Sequence, residues 1–364
     1  MGIEEEHLNT KNTVKVLAWP KERNCKNNPY NQILYGAMPD GVTVNEFHPR
    51  KMLVGDESIF HIHWPDMILR NKRWWRIIWR FLRLQKAIKK VQKSGGKVVW
   101  TVHNLKPHQA FFPSLSDLLM RRFIDNIDGL IFLTESSRNE FLILYPEFED
   151  IAFRIIPHAH YQSYYPLVND GDCDKAKAVA TDRQKLGLQD SDCLLLMFGK
   201  IRAHKGLSDL LAAKNTLNNP NLHLMIAGST GGYHVDNSTF DSLEHDPQCH
   251  TVFEHIADED VSAYFAAADA VILPYTDILN SGTAILALSF GVPIIAPALG
   301  SLVSLNKLFG DEWVFLYERP LSSETLDQAL TWLKGRTVSE PDLSELAPEL
   351  VANQTLSFYQ ELLG

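Results

Sequence analysis

The chain has 364 residues, 45% hydrophobic and 22% charged, with a formal net charge of −9. This length exceeds one ordinary core and fits two α/β domains, and the acidic balance excludes a general nucleic-acid binder. Cys25, Cys173, Cys193 and Cys249 form no CxxC pair, which argues against a zinc site or a disulfide framework, and no apolar run marks a secretory leader or a membrane span, so a cytoplasmic location is expected.

Residues 14–19 read as a first strand, followed by a polar loop and a helix from Pro29 to Tyr35. Strands are expected at 42–47 and 58–64, a long helix at 72–93 stopped by Gly95-Gly96, and further strands at 97–103, 129–134 and 153–157. The alternation lapses between 161 and 192, where only a short helix near 174–186 is expected. It restarts with strands at 193–199, 222–227, 251–254, 270–273, 292–296 and 313–316. Helices fit at 204–216, 258–268, 282–290 and 323–333, and the tail from 343 to 362 is helical, broken or restarted at Pro348. Alternating strands and helices predict parallel sheets covered on both faces. The expected plan is a first Rossmann-like domain over 1–165, a linker over 166–190, a second Rossmann-like domain over 191–340 and a helical tail over 341–364. Ligands are expected beyond the carboxyl ends of the strands, in a cleft between the domains.

Two runs in the second domain have anion-binding chemistry. Gly199, Lys200, Arg202 and Lys205 follow its first strand; glycine permits a close backbone turn, Arg offers a planar fork and Lys a point charge. Ser281, Gly282 and Thr283 stand where a helix begins, and a helix N-terminus offers unpaired N–H groups and partial positive charge. Together the two runs would hold a diphosphate without a metal.

The first domain places Asn28 and Tyr30, His63 and Asp66, His103, Asn104 and His108, and His158 at predicted strand ends or in the loops that follow. Asp66 and His103 are the two candidates for a general base. Asn28, Tyr30, His63, Asn104, His108 and His158 are candidates to line the acceptor side of the cleft. Between Arg70 and Lys97 lie eleven Lys or Arg and no Asp or Glu, interleaved with tryptophan. A stripe of Trp74, Ile77, Ile78, Phe81, Leu84 and Ile88 is expected to pack on the sheet, with Trp75, Trp79 and Leu82 on its flank. Arg73, Trp74, Trp75, Arg76, Trp79, Arg80 and Arg83 form a basic, tryptophan-edged surface suited to an anionic membrane.

The runs FGKIRAHKGLSDLL and DAVILPYTDILNSGTAILALSFGVPIIAP resemble the donor-binding segments of nucleotide-sugar glycosyltransferases of the GT-B fold. The resemblance implies an α/β chain of two Rossmann-like domains facing a cleft, with a C-terminal helix able to return to the first domain. It also implies that Arg202, Lys205 and the helix start at Ser281–Thr283 bind the donor diphosphate. Retaining members of the large family 4 carry two glutamates at the positions of Leu279 and Leu286 here. The phrase LNSGTAILALSFG is instead similar to bacterial exopolysaccharide enzymes, including inverting β-mannosyltransferases that use GDP-mannose. The function implied is transfer of a sugar from a nucleotide diphosphate, GDP-mannose favoured, to a lipid-linked glycan at the inner face of the cell membrane. A retaining transferase, a sugar epimerase and a non-catalytic nucleotide-sugar-binding homologue are the alternatives. No cofactor and no nucleic-acid partner are expected.

Overall fold

A computed structural model describes residues 14–23, 28–49, 55–105, 110–165, 183–231, 239, 243–337 and 339–364. The chain forms two compact units, Met1–Ala159 with Pro348–Gly364, and His160–Ala347. The expected site residue His108, as well as Cys25, Cys173 and residues 166–182 of the expected linker, lie outside the described residues.

In the first unit, β1 (Val14–Trp19), β2 (Val42–Glu46), β3 (Ile59–Ile62), β4 (Lys97–Thr101), β5 (Gly129–Phe132) and β6 (Phe153–Ile155) form one sheet in the order β2-β1-β3-β4-β5-β6. All its pairings are parallel. The strands β3 and β5 are buried throughout, as a sheet covered on both faces requires. Helix Trp74–Lys93 lays Ile77, Phe81, Leu84, Ala87, Ile88 and Val91 into this core, at the spacing that keeps one face of a helix inward. Each of these side chains other than Ala87 contributes about 1.5–3 kcal/mol on burial. Trp74 does not join that stripe. It is the first helical residue and is 56% exposed, because the chain enters from an extended Arg73 before the helix meets the sheet.

The last helix, Pro348–Leu363, belongs to the first unit. Pro348 starts it, where a missing N–H costs nothing. Its buried face is Val351, Ala352, Thr355, Phe358 and Tyr359. It packs so closely on the start of β5 that a Cβ at Gly129 would lie 2.6 Å from Leu362 Cδ1, and Arg154 pairs with Glu361.

In the second unit, β7 (Cys193–Phe198), β8 (Leu222–Ala227), β9 (Cys249–Val252), β10 (Ala270–Ile272), β11 (Ile294–Pro297) and β12 (Val314–Tyr317) form a second parallel sheet in the order β12-β11-β10-β7-β8-β9. The observed β9 begins two residues before the expected one. The helix expected over 204–216 is two pieces, a 3-10 turn at Ala203–Lys205 and a helix at Leu207–Leu217. Gly206 separates them at φ +69°, and a Cβ there would lie 1.8 Å from the Pro274 carbonyl oxygen. The helix Gly300–Phe309, which the sequence pattern does not announce, follows β11.

Candidate active site

In each sheet the strand order reverses at one place. Chain connections leave in opposite directions from β1 and β3 in the first unit, and from β7 and β10 in the second. The crevice beyond the carboxyl ends at such a point is the usual ligand site of an open α/β sheet. In the second unit the candidates follow β7 and β10, and in the first unit they follow β1, β3, β4 and β6.

In the second unit the loop after β7 meets the helix after β10. Gly199 adopts φ +91°, and a Cβ on it would stand 3.4 Å from Lys205 Nζ and 3.6 Å from Thr283 Oγ1. Gly228 approaches from β8 more closely still, since a Cβ there would meet the Gly199 carbonyl oxygen at 2.2 Å. The result is a bare backbone floor with a cation and a hydroxyl beside it. Lys205 Nζ donates to the Phe198 carbonyl at 3.1 Å and lies 5.3 Å from the centre of the Tyr275 ring. Ser281 caps helix Gly282–Ser289, its Oγ accepting from Ala284 N at 3.2 Å. The N–H groups of Gly282 and Thr283 have no partner within the helix. Arg202 holds the loop after β8, donating to the Ile201 carbonyl at 3.0 Å and to the Thr230 carbonyl. Lys200 is exposed on the same loop as Gly199. Leu279 is half-buried and Leu286 buried, and neither offers a charge.

In the first unit Tyr30 stands among three imidazoles. Its ring centre is 5.8 Å from His63, 4.7 Å from His103 and 4.8 Å from His158, edge-on to each. Asn28 supports it, its Oδ1 accepting from Tyr30 N at 3.0 Å. His103 stacks on Trp64 at 4.4 Å. Beneath His103 runs a buried polar chain. His103 Nε2 is 3.1 Å from His63 Nδ1, His63 Nε2 is 2.6 Å from the Tyr35 hydroxyl, and that hydroxyl is 3.0 Å from His61 Nδ1. His61 Nε2 meets Thr101 Oγ1 at 2.7 Å, and the Tyr359 hydroxyl of the last helix meets His61 Nδ1 at 2.6 Å. Burial pushes His61 down to about 3 and His158 down to about 4. It also holds His63 and His103 well below the usual imidazole range, with charge on neighbouring imidazoles adding to the effect. The same burial holds Tyr35 and Tyr359 well above the usual phenol range. All of these groups are therefore neutral at pH 7. His158 Nδ1 donates to the Ala159 carbonyl at 2.7 Å.

Asp66 lies in a 3-10 turn, Pro65–Ile68, just past β3. It caps no helix. It is 2% exposed and its carboxylate pairs with Arg70. Asn104 follows His103 in the same loop, half-buried. The site residues that the sequence reading missed are His61, Tyr35, Thr101, Trp64 and Tyr359. The spacing of His61 and His63 is a signal for the first of these, since alternate strand residues share a face. Nothing local marks Tyr35 or Tyr359.

Arg73, Arg76 and Arg80 are exposed on helix Trp74–Lys93, with Trp74, Trp75, Trp79 and Leu82. Arg83 stacks over Trp79 and donates to the Pro49 carbonyl. A groove of about 740 Å³ opens here, lined among others by Trp75, Arg76, Trp79, Arg80, Met67 and Ile68. Among the described residues, no helix is long and apolar enough to cross a membrane, and no three His, Cys, Asp or Glu side chains are grouped as metal ligands would be.

Residues 179–335 match the family described as Glycosyl transferases group 1. Over 355 residues the chain is 27% identical to a GDP-mannose:glycolipid 4-beta-D-mannosyltransferase of Xanthomonas campestris pv. campestris, covering 96% of this chain and 93% of that protein. Among solved structures, Anabaena HepE in complex with UDP superposes with a TM-score of 0.68 at 12% identity, covering 96% of this chain and all (100%) of that one. The catalytic domain of Arabidopsis thaliana starch synthase IV, bound to ADP and acarbose, superposes with a TM-score of 0.66 at 13% identity, covering 96% and 99%. With a group 1 glycosyltransferase domain on the second sheet and GT-B neighbours along both units, this protein is a GT-B glycosyltransferase.

Proposed function

We propose that the protein transfers a mannosyl group from GDP-mannose to a lipid-linked glycan, with inversion at the anomeric carbon. The observation that carries the donor half is the meeting of Lys205, Thr283 and the bare Gly199 backbone at the switch point of the second sheet. Lys205, Arg202 and the helix start at Ser281–Thr283 supply positive charge for the departing diphosphate, which would be neutralised there without a metal. Leu279 and Leu286 support inversion, because neither can stabilise charge on the sugar as a carboxylate does. The preference for GDP-mannose and a lipid acceptor is supported by the Xanthomonas relative, whose name gives both a GDP-mannose donor and a glycolipid acceptor.

An inverting displacement needs a group to take the acceptor proton. Asp66 and His103 have the chemistry. Asp66→Asn keeps the shape and an acceptor for Arg70 but not the proton affinity, so near-normal turnover by that variant removes Asp66 from the role. The exposed arginines and tryptophans of helix Trp74–Lys93, with their groove, support a peripheral seat on the anionic inner face of the cell membrane, in polysaccharide synthesis. The test of the whole reading is calorimetric titration with GDP-, UDP- and dTDP-sugars, followed by transfer to lipid extracts and anomeric analysis of the product. Tight binding of GDP-mannose and a β-linked product are expected. An α-linked product overturns inversion, turnover of the donor without acceptor favours an epimerase, and donor binding with no transfer to any extract favours a non-catalytic homologue.

A further inference from the structure

Helix Trp74–Lys93 does more than present charge to solvent. Arg76, Arg80 and Arg83 recur at helical spacing, which puts them on one face of the helix. That face borders the groove of about 740 Å³. Phe47, Ile68 and Leu84 form a buried apolar wall of the groove, while Trp75 and Trp79 line it at 51% and 54% exposure. No Asp or Glu is among its described lining residues. Arg83 is held in place, donating to the Pro49 carbonyl from Nε at 3.1 Å and from Nη2 at 2.8 Å, and it stacks on Trp79 at 4.6 Å. Arg76 lies 5.1 Å from the centre of the Trp75 ring. The groove also has a definite place on the sheet. Trp19 ends β1, Phe47 follows β2, and Met67 and Ile68 belong to the same turn as Asp66. It therefore opens at the carboxyl edge of the strands, on the element that carries a candidate base.

This lining makes two demands on an occupant. A plain anion gains nothing from the tryptophans and the apolar wall. A plain apolar molecule strips water from the guanidinium groups and returns no hydrogen bond. An amphiphile with phosphate where its polar head joins its chain answers both, because a guanidinium matches phosphate oxygens two at a time. The volume is that of a pocket for one ligand, which a flat bilayer contact does not need. We propose that the groove binds the lipid end of the acceptor. The phosphate or diphosphate that joins glycan to lipid is held by Arg76 and Arg80, and the first units of the chain lie against Trp75, Trp79 and the buried wall. This rests on the reading of the acceptor as a lipid-linked glycan. The helix that draws the protein to the membrane then also selects one kind of lipid from it.

Calorimetric titration of the full chain with farnesyl diphosphate, a short soluble probe, tests this. Saturating GDP is present throughout, so that the proposed diphosphate site of the second unit is filled. One probe per chain is expected to bind, at least about tenfold tighter than inorganic diphosphate, since each buried CH₂ is worth roughly fourfold. Arg76→Gln and Arg80→Gln are each expected to lower that affinity about 10- to 100-fold, as loss of a charged hydrogen bond does. Trp79→Ala is expected to lower it about tenfold and to leave the affinity for inorganic diphosphate unchanged. Inorganic diphosphate bound as tightly as farnesyl diphosphate overturns the proposal, as does unchanged affinity in both arginine variants. No binding of the probe, in a protein that still sediments with vesicles of phosphatidylglycerol, assigns the groove to the bilayer surface and overturns it too. So does a particle of twice the chain mass in light scattering that Trp79→Ala returns to one chain, since a second copy then fills the groove. The probe carries no glycan and the titration needs no turnover. Saturable binding with no transfer to any lipid extract therefore counts against the proposed reaction and not against the groove.

Discussion

Lys205 Nζ and Thr283 Oγ1 flank the same side of Gly199, 3.4 and 3.6 Å from where a Cβ on that residue would stand. The two side chains come from different strand ends, and only the neighbouring positions of β7 and β10 bring them together. Gly199→Ala is therefore expected to act twice. It strains a backbone held at φ +91°, by about 1–2 kcal/mol, and it places a methyl on the proposed phosphate floor. Calorimetry with GDP should show donor affinity falling at least tenfold, while spectra report an intact fold.

Lys205→Met and Arg202→Lys should separate charge from geometry. Removing the Lys205 amine takes away a charged hydrogen bond worth about 1.5–3 kcal/mol, so GDP affinity is expected to fall roughly 10- to 100-fold. Arg202→Lys keeps the charge but loses the planar guanidinium, whose Nη1 donates to both the Ile201 and Thr230 carbonyls. Its affinity is expected to fall as well, with the loop after β8 more open to hydrogen exchange. Full affinity in Arg202→Lys would show that charge alone matters there.

The buried imidazoles make the first unit acid-sensitive. In the unfolded chain each takes a proton near pH 6.5. In the folded chain His61 resists protonation to about 3 and His158 to about 4. Between those limits the unfolded state binds more protons, so the stabilisation is complete above pH 6.5 and is lost as pH falls. Each such ring contributes a slope of about 1.4 kcal/mol per pH unit. Thermal unfolding measured from pH 7 to pH 4.5 should show a falling Tm, with a shallower fall in His61→Gln.

Helix Trp74–Lys93 is expected to carry membrane affinity separately from donor binding. Replacing Arg76 and Arg80 together by Gln should lower binding to anionic vesicles by about 2 kcal/mol at low salt, from about 1 kcal/mol per cation near the surface. GDP affinity should be unchanged. Sedimentation with vesicles of anionic and of neutral lipid measures the difference. Equal binding of wild type and variant to the anionic vesicles would remove this helix from the role.

Much of the architecture was readable from residue order. Strand alternation located the elements of both sheets, because buried parallel strands are continuous apolar runs and their loops are polar. The nearness of Gly199, Lys205 and Thr283 was also suggested by the sequence, since these are short local motifs placed at the ends of predicted strands. The face of helix Trp74–Lys93 was readable in outline from its period, although Trp74 left the buried stripe because a helix end does not follow the sheet. Tertiary structure decided the rest. Asp66 looks like an open carboxylate in sequence, and its pairing with Arg70 depends on a turn formed only after β3 ends. The polar chain under His103 joins Tyr35, His61, His63, Thr101 and Tyr359. Apart from His61 and His63, which alternate along one strand, its members are far apart in sequence and share no period, so only packing the last helix onto the first sheet could bring Tyr359 to His61.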